Sequence, residues 1–127
     1  MKIDKENKRA TGSLGEEAAV QYLNKNNYKI LERNFRYKKM GEIDIISREK
    51  NYLCFIEVKT RSSNAYGLPR EAVNYRKQEN IRKLAQIYLS RNGMYDENIR
   101  FDVIEVYIEK KACEIEVKNI ELIKNAF

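Results

Sequence analysis

The sequence predicts an α/β protein in which a mixed sheet of about five strands is flanked by helices. Two segments place apolar residues at helical spacing, and five short segments are rich in β-branched, aromatic and aliphatic residues. The segments follow one another in the order αβββαββ. Three consecutive strands favour antiparallel neighbours, whereas the long helix before the fourth strand allows a parallel crossover.

The N-terminal part is predicted as a tail followed by a helix. Residues 1–12 are polar and basic and are expected to form a disordered tail, which leaves residues 13–127 as a single domain. Ser13 is predicted to cap the helix and Glu16 to return a hydrogen bond from the first turn, which is the pattern of a capping box. The asparagine pair 26–27 marks the end of the helix, because asparagine tolerates the left-handed backbone conformation.

Three strands are predicted next, at residues 28–35, 42–46 and 52–60. The third begins with a nearly continuous apolar run, which is typical of a central strand that is covered on both faces. Short polar turns separate the three strands, and the turn before the second contains Gly41. Such short connections predict that the three strands are neighbours in the sheet.

The second half of the chain is predicted to add a loop, a helix and two strands. Residues 61–69 contain serine, asparagine, glycine and the only proline, so they are expected to form a mobile loop. A helix is predicted over residues 70–90, where apolar residues recur at helical spacing. The strands at 99–108 and 113–117 are joined through a lysine pair and are predicted to form a hairpin.

Composition limits the chemistry that the protein can perform. The chain has 127 residues with 25 Lys and Arg, 19 Asp and Glu and no histidine, so the net charge is +6 and histidine-dependent triads and zinc sites are excluded. Cys54 and Cys113 lack metal-ligand spacing and are interpreted as reduced, buried thiols. The N-terminus has no signal-peptide pattern and no segment is apolar enough to span a membrane, so a cytoplasmic location is expected. The positive charge favours a polyanionic partner.

Three charged residues interrupt the apolar strands. Asp44 lies in the second strand, and Glu57 and Lys59 share one face of the third, because side chains alternate along a strand. If the two strands pair, Asp44 comes close to Glu57, and two carboxylates in a partly dry site repel each other unless a cation lies between them. Oxygen ligands without histidine or cysteine select Mg²⁺ or Mn²⁺. The alternative is a salt bridge at a strand end, and the pattern alone leaves both interpretations open.

The same residues carry a family resemblance. Asp44, followed by Glu57-Val58-Lys59 on the next strand, resembles the PD-(D/E)-x-K signature of nucleases with the restriction-endonuclease-like fold. The wider pattern resembles the YraN-like family of small bacterial proteins, which is similar to archaeal Holliday-junction resolvases. The proline that names the nuclease motif is absent, and Glu42 stands two positions before Asp44 instead. The motifs that match are Gly12-x-x-Gly15-Glu16-x-x-Ala19, Asn34-Phe35-Arg36, Gly41-Glu42-Ile43-Asp44, Phe55-Ile56-Glu57-Val58-Lys59-Thr60-Arg61, Lys77 and Arg100-Phe101-Asp102.

The resemblance implies an Mg²⁺-dependent endonuclease that hydrolyses DNA phosphodiester bonds. Asp44, Glu57 and the carbonyl of Val58 would hold Mg²⁺ or Mn²⁺, and Lys59 would orient the attacking water or stabilise the phosphate. Glu16 has two interpretations, because a residue that caps its own helix is not available to a metal, whereas an acidic residue on the first helix of similar nucleases reaches the metal cluster. Glu42 is either a neighbour of the metal ligands or a solvated edge residue.

A group of basic residues would bind backbone phosphates without reading the base sequence. Branched or flapped DNA would fit such shape recognition, and cutting a four-way junction requires two active sites and therefore a homodimer. The alternatives are a non-catalytic nucleic-acid-binding module of the same fold and an adaptor whose acidic cluster is structural. The predicted phosphate-binding residues are Arg36, Lys38, Lys39, Arg61, Arg76, Lys77 and Lys83.

Two further acidic residues, Glu71 and Asp102, are predicted to have structural roles. Glu71 would begin the second helix, where the helix dipole favours a negative charge. Asp102 lies in an apolar strand two residues after Arg100, so an internal ion pair is expected between them.

Overall fold

The computed structural model describes residues 5–68 and 73–127. Over these residues the chain forms two α-helices, five strands and one short 3₁₀ turn in the predicted order αβββαββ. The predicted α/β class and the number of strands are confirmed. The elements are α1 (Lys5–Lys25), β1 (Lys29–Arg36), β2 (Glu42–Glu49), β3 (Tyr52–Ser62), the 3₁₀ turn (Ser63–Ala65), α2 (Tyr75–Arg91), β4 (Asn98–Lys111) and β5 (Glu114–Ile123).

The five strands form one mixed sheet in the spatial order β1-β2-β3-β4-β5. Short turns join β1 to β2 and β2 to β3, and both pairs are antiparallel. β4 pairs parallel to β3, and α2 provides the crossover that parallel neighbours need to return the chain to the same end of the sheet. β5 then pairs antiparallel to β4. The predicted mixed sheet is confirmed, with β3 at its centre.

One helix packs on each face of the sheet. Leu23 of α1 belongs to a core cluster with Ile56, and Leu84 of α2 belongs to a second cluster with Phe55. Residues 53–56 are fully buried, because alternate side chains of β3 enter the two clusters. This burial explains the continuous apolar run in the sequence and leaves β3 covered on both faces, as predicted.

The predicted start of the first helix is wrong. α1 begins at Lys5, so Ser13 lies inside the helix and the capping box between Ser13 and Glu16 does not exist. Lys, Glu, Arg and Ala in residues 5–10 favour a helix, and the two glycines in its interior, Gly12 and Gly15, cost only about 1 kcal/mol each. Residues 5–12 are therefore helical, and residues 1–4 of the predicted tail lie outside the described residues.

The second helix begins later than predicted. α2 starts at Tyr75, and Asn74 caps it because its Oδ1 accepts a hydrogen bond from the Lys77 amide at 2.9 Å. The sequence pattern placed the start near residue 70, because the apolar periodicity includes Val73, which is buried but not helical. Glu71, predicted at the helix start, lies in residues 69–72, outside the described residues.

The C-terminal hairpin is longer than predicted and corrects the assignment of one cysteine. Cys54 is buried as expected, but Cys113 is exposed in the two-residue turn between β4 and β5. The apolar residues that follow Cys113 suggested a strand position, whereas the left-handed backbone at Ala112 (φ 45°) makes this pair the turn. The predicted ion pair is present, with Arg100 Nε 3.0 Å from Asp102 Oδ1. Neither described helix is long and apolar enough to cross a membrane.

Candidate metal centre

The site lies where two strands of the sheet separate. The β2–β3 ladder ends at the pair Ile45–Ile56, whereas β3 continues to pair with β4 as far as Ser62. Beyond the end of the β2–β3 ladder the amide of Val58 donates a hydrogen bond to Asp44 Oδ2 at 2.8 Å. The Asp44 carboxylate thus accepts a hydrogen bond from a backbone amide that lies beyond the β2–β3 pairing. This bond holds Asp44 in the fork, which is the gap where β2 and β3 separate.

Three carboxylates meet in this fork. Asp44 and Glu42 come from β2 and Glu16 comes from α1, and one oxygen atom from each lies within 4.8 Å of the others. Asp44 is buried, and the two glutamates are half-buried. Three like charges at this separation repel one another strongly where water is scarce, so the group favours a cation or a proton.

Asn34 of β1 joins two of these carboxylates. Its Nδ2 donates to Glu16 Oε2 and to Glu42 Oε1, at 3.3 Å in both cases. Asn34 adopts a left-handed backbone conformation (φ 54°), which asparagine tolerates better than most residues. Glu42 also accepts a hydrogen bond from Arg36 Nε at 2.7 Å.

The electrostatic environment of Asp44 favours a bound proton in the metal-free protein. Burial, followed by the charge of Glu57, raises the pKa of Asp44 to about 8, and the Val58 amide opposes this shift. The charge of Glu57 on the adjacent strand therefore acts on Asp44, and a cation shared by these two carboxylates stays a prediction. Among the described residues, however, the three carboxylates that converge on one point include Glu16 and Glu42 rather than Glu57.

Glu57 instead contacts a lysine of α2. Its carboxylate is buried, and Glu57 Oε1 forms an ion pair with Lys77 Nζ. Val58 contributes its amide to the site, and the metal-binding roles of Glu57 and the Val58 carbonyl stay predictions.

Lys59 follows on the same strand face as Glu57. Burial, followed by the charge of Arg61, lowers the pKa of Lys59, while the carboxylates of Glu105 and Glu57 oppose this shift. Arg61 was predicted to bind phosphate, but its Nε lies 3.4 Å from the buried carboxylate of Glu105. Arg61 therefore forms an ion pair with Glu105, and its binding of phosphate stays a prediction.

The other predicted phosphate-binding residues form two groups around the fork. Arg76 and Lys77 line a cleft of about 300 Å³ together with Glu42. Lys38 and Lys39 lie in the β1–β2 turn and line an adjoining groove that also includes Glu42. Arg36 is paired with Glu42 in this groove, and Lys83 lies further along α2, beside Tyr37.

Sequence reasoning missed the role of Asn34 and the partner of Glu57. Asn34 stands in the Asn-Phe-Arg motif that supports the family resemblance, so its position was marked although no contact was predicted for it. Lys77 was assigned to phosphate binding, and no sequence pattern shows that α2 brings it to Glu57. The choice left open for Glu16 is now decided against the cap, since the helix begins eleven residues earlier, at Lys5.

The fold and the site define an α/β protein whose mixed sheet opens around a carboxylate cluster supplied by a strand and a helix. Residues 15–106 match the Uncharacterised protein family UPF0102, and the chain belongs to this family. The predicted YraN-like resemblance is thereby confirmed.

Relatives align along nearly their whole length. The chain is 70% identical to a UPF0102 protein of Acetivibrio thermocellus over 124 residues, which are 98% of this chain and 95% of the relative. It is 48% identical to a UPF0102 protein of Caldanaerobacter subterraneus subsp. tengcongensis over 98% of this chain and all of the relative. A UPF0102 protein of Clostridium kluyveri is 51% identical over 91% of this chain and 92% of the relative.

Proposed function

We propose that this protein is an endonuclease that hydrolyses DNA phosphodiester bonds with Mg²⁺ or Mn²⁺ held in the fork between β2 and β3. One observation carries the proposal: oxygens of Glu16, Glu42 and Asp44 lie within 4.8 Å of one another where the two strands separate. The basic first turn of α2 lines a cleft together with Glu42, and Lys59 lies on β3 in the field of Glu57. Carboxylates beside lysines are suited to chemistry on phosphate esters.

The donor set fits a hard divalent cation. All the groups that converge are carboxylate oxygens, which Mg²⁺ and Mn²⁺ prefer. Asp44 is buried and orientated by the Val58 amide, so one ligand is already in place. Asp44, with Glu16 or Glu42 and the predicted ligands Glu57 and the Val58 carbonyl, would hold the ion.

The metal ion and several basic residues would each have a distinct role in binding and cleaving the phosphodiester. A bound metal ion would lower the pKa of a water molecule and neutralise phosphate charge. Lys59 would donate to a phosphate oxygen, since it lies in the field of the carboxylates of Glu105 and Glu57, which oppose the lowering of its pKa by burial and by Arg61. Arg76, Lys38 and Lys39 would bind flanking phosphates, because they border the grooves that reach Glu42.

The shape of the substrate and the assembly are proposed from the resemblance. Branched or flapped DNA is the proposed substrate class, and a homodimer would place two sites on a four-way junction. A cytoplasmic location, where such DNA is processed, stays a prediction.

A second function is favoured by a different observation. Basic side chains of the protein already compensate two acidic residues near the fork, since Glu42 pairs with Arg36 and Glu57 pairs with Lys77. A protein that binds nucleic acid without a metal ion would need such compensation. The second candidate is therefore a non-catalytic nucleic-acid-binding module of the same fold.

Cleavage assays distinguish the two functions. We expect the wild-type protein with Mg²⁺ or Mn²⁺ to cut at least one substrate among linear, flapped and four-way DNAs. Asp44→Asn keeps the shape of the side chain but removes its charge, and it should lower the rate by about 10²–10³-fold or more. The matched control is Glu116→Gln, an exposed carboxylate on β5, which should cut like the wild type. If the wild type binds DNA and cuts none of these substrates, the binding module takes the place of the nuclease.

A further inference from the structure

Lys77 is placed where a cation is unfavourable for the helix that carries it. It lies in the first turn of α2, directly after Tyr75 and Arg76, and this turn contains no acidic residue. The N-terminus of a helix carries a partial positive charge, so a lysine there is destabilising by a few tenths of a kcal/mol. The stability of α2 therefore does not explain why a lysine occupies this position.

The ion pair with Glu57 explains the position of Lys77. Lys77 Nζ contacts Glu57 Oε1, and the side chain of Glu57 is only 6% exposed, whereas that of Lys77 is 48% exposed. The ammonium thus reaches a buried carboxylate from the solvent side. Because the lysine stem remains half-exposed, the ammonium can leave Glu57 without disturbing the core.

The ammonium also lies in the field of two carboxylates of the acidic cluster, Asp44 and Glu42. Burial opposes its charge, but the hydrogen bond and the charge of Glu57, followed by the charges of Asp44 and Glu42, raise the pKa of Lys77. Lys77 consequently remains charged at neutral pH. Its ammonium supplies one positive charge to the same carboxylates that a divalent ion would neutralise.

We propose that Lys77 is a built-in counter-cation that competes with the divalent ion for Glu57 and, once displaced, binds a backbone phosphate of the DNA. This inference rests on the proposed function, because it requires a metal ion in the fork and DNA above it. It adds a catalytic residue from α2 to those of β2 and β3. It also makes metal binding and DNA binding cooperative, since the ion releases the cation that the phosphate needs.

The first test measures metal binding without DNA. Mn²⁺ is titrated into the wild type, Lys77→Gln and Arg76→Gln, and the dissociation constant is measured by calorimetry and by electron paramagnetic resonance of free Mn²⁺. Lys77→Gln should bind Mn²⁺ about tenfold more tightly than the wild type, because Glu57 no longer has an internal partner. Arg76→Gln removes the same charge one residue earlier in the same turn and should change the affinity less than about twofold.

The second test measures the coupling. The affinity for a flapped DNA is compared in EDTA and in Ca²⁺, used in place of Mg²⁺, with the integrity of the DNA checked on a gel. We expect Ca²⁺ to strengthen DNA binding at least about threefold more in the wild type than in Lys77→Gln.

The outcomes separate this inference from the proposed function. An unchanged Mn²⁺ affinity in Lys77→Gln overturns the competition, even if the wild type cuts DNA. Equal effects of Ca²⁺ on both proteins overturn the phosphate contact. If the wild type binds Mn²⁺ more weakly than Lys77→Gln but cuts no DNA, the competition stands and the proposed hydrolysis fails. Melting temperatures of both variants, expected within a few degrees of the wild type, exclude misfolding as the cause.

Discussion

At the scale of single residues, the Asp44 carboxylate is held in position by a hydrogen bond, while its surroundings destabilise its negative charge. The Val58 amide orientates it and stabilises its charge, but burial and the neighbouring carboxylates oppose that charge. The net shift is upwards, so the acidic cluster is under electrostatic strain that a cation would relieve. The salt bridge that the sequence left open as an alternative is present at Glu57, which pairs with Lys77, whereas a salt bridge at Asp44 would shift the pKa of Asp44 downwards.

The raised pKa of Asp44 gives a prediction for the pH dependence of stability. The pKa of Asp44 is about 8 in the folded state, whereas the unfolded state releases the proton near the ordinary aspartate pKa of 3.8. The folded state therefore binds more protons between these values, and the free energy of unfolding of the metal-free protein should fall as pH rises from about 5 to 8. The expected loss is roughly 3–4 kcal/mol, since each of the three pH units contributes about 1.4 kcal/mol until the folded-state pKa is reached, and urea unfolding in EDTA measures it.

Two comparisons check the assignment of this slope. Asp44→Asn cannot ionise and should flatten the dependence between pH 5 and 8. Saturating Mg²⁺ should stabilise the wild type most at the upper end of the range, because the ion binds the ionised carboxylate. A wild type whose stability rises over this range would contradict the placement of Asp44 in a buried position beside other carboxylates.

At the scale of secondary-structure elements, the site depends on how closely α1 approaches β3. Gly15 of α1 faces Thr60 of β3 so closely that a Cβ on residue 15 would overlap the threonine hydroxyl. The same helix carries Glu16 as the next residue, which reaches Asn34 of β1. The glycine thus sets the distance at which α1 delivers its carboxylate to the fork.

Substitution of Gly15 tests this packing. Gly15→Ala should destabilise the protein by about 1–3 kcal/mol, although alanine favours a helix, because the threonine side chain is branched at Cβ and cannot simply swing away. The control is Gly12→Ala in the same helix, where nothing lies within 4 Å of the added Cβ, and which should stabilise by about 0.5–1 kcal/mol. Thermal or urea unfolding measures both effects.

A double substitution provides the decisive comparison for this contact. Thr60→Ala removes the atoms that the new Cβ would meet, so Gly15→Ala in that background should cost at least about 1 kcal/mol less than it costs alone. If the two effects are additive, the close approach of α1 to β3 is not the reason for the glycine.

At the scale of the whole molecule, the net charge of +6 is distributed so that basic groups border an acidic fork. The cleft and the groove beside Glu42 carry Arg76, Lys77, Lys38 and Lys39. A DNA backbone bound there brings negatively charged phosphates towards negatively charged carboxylates. Such binding requires that basic side chains outnumber the carboxylates along the bound DNA. The logarithm of the DNA-binding constant should therefore fall linearly with the logarithm of the salt concentration.

The β1–β2 turn allows a test of this path. The double variant Lys38→Gln/Lys39→Gln should reduce the steepness of the logarithmic salt dependence by about 2, because each phosphate contact contributes about 1. Lys111→Gln/Lys118→Gln removes the same charge from the β4–β5 hairpin and should leave the steepness nearly unchanged. Fluorescence anisotropy with a labelled flapped DNA at several salt concentrations measures both, and equal losses in the two variants would remove the turn from the interface.

Sequence reasoning predicted the sheet and the pairing of the two strands that carry Asp44 and Glu57, because those features depend on local pattern. The apolar run of β3 follows from burial on both faces, and the spacing of Asp44 and Glu57 follows from two strands that pair after a short turn. The helix starts were wrong, because Ser13 and Val73 give local signals that longer-range packing overrides.

The sequence by itself determined which residue types are available: carboxylates and cations without histidine, on strands whose period places Glu57 and Lys59 on one face. Only the tertiary structure decided which of these groups meet. Glu16, Asn34 and Glu42 converge because α1 and β1 pack beside the point where β2 and β3 separate, and Lys77 reaches Glu57 because α2 crosses the other face. Contacts between elements that are far apart in the chain depend on packing angles and on where a ladder ends, and no local period encodes either.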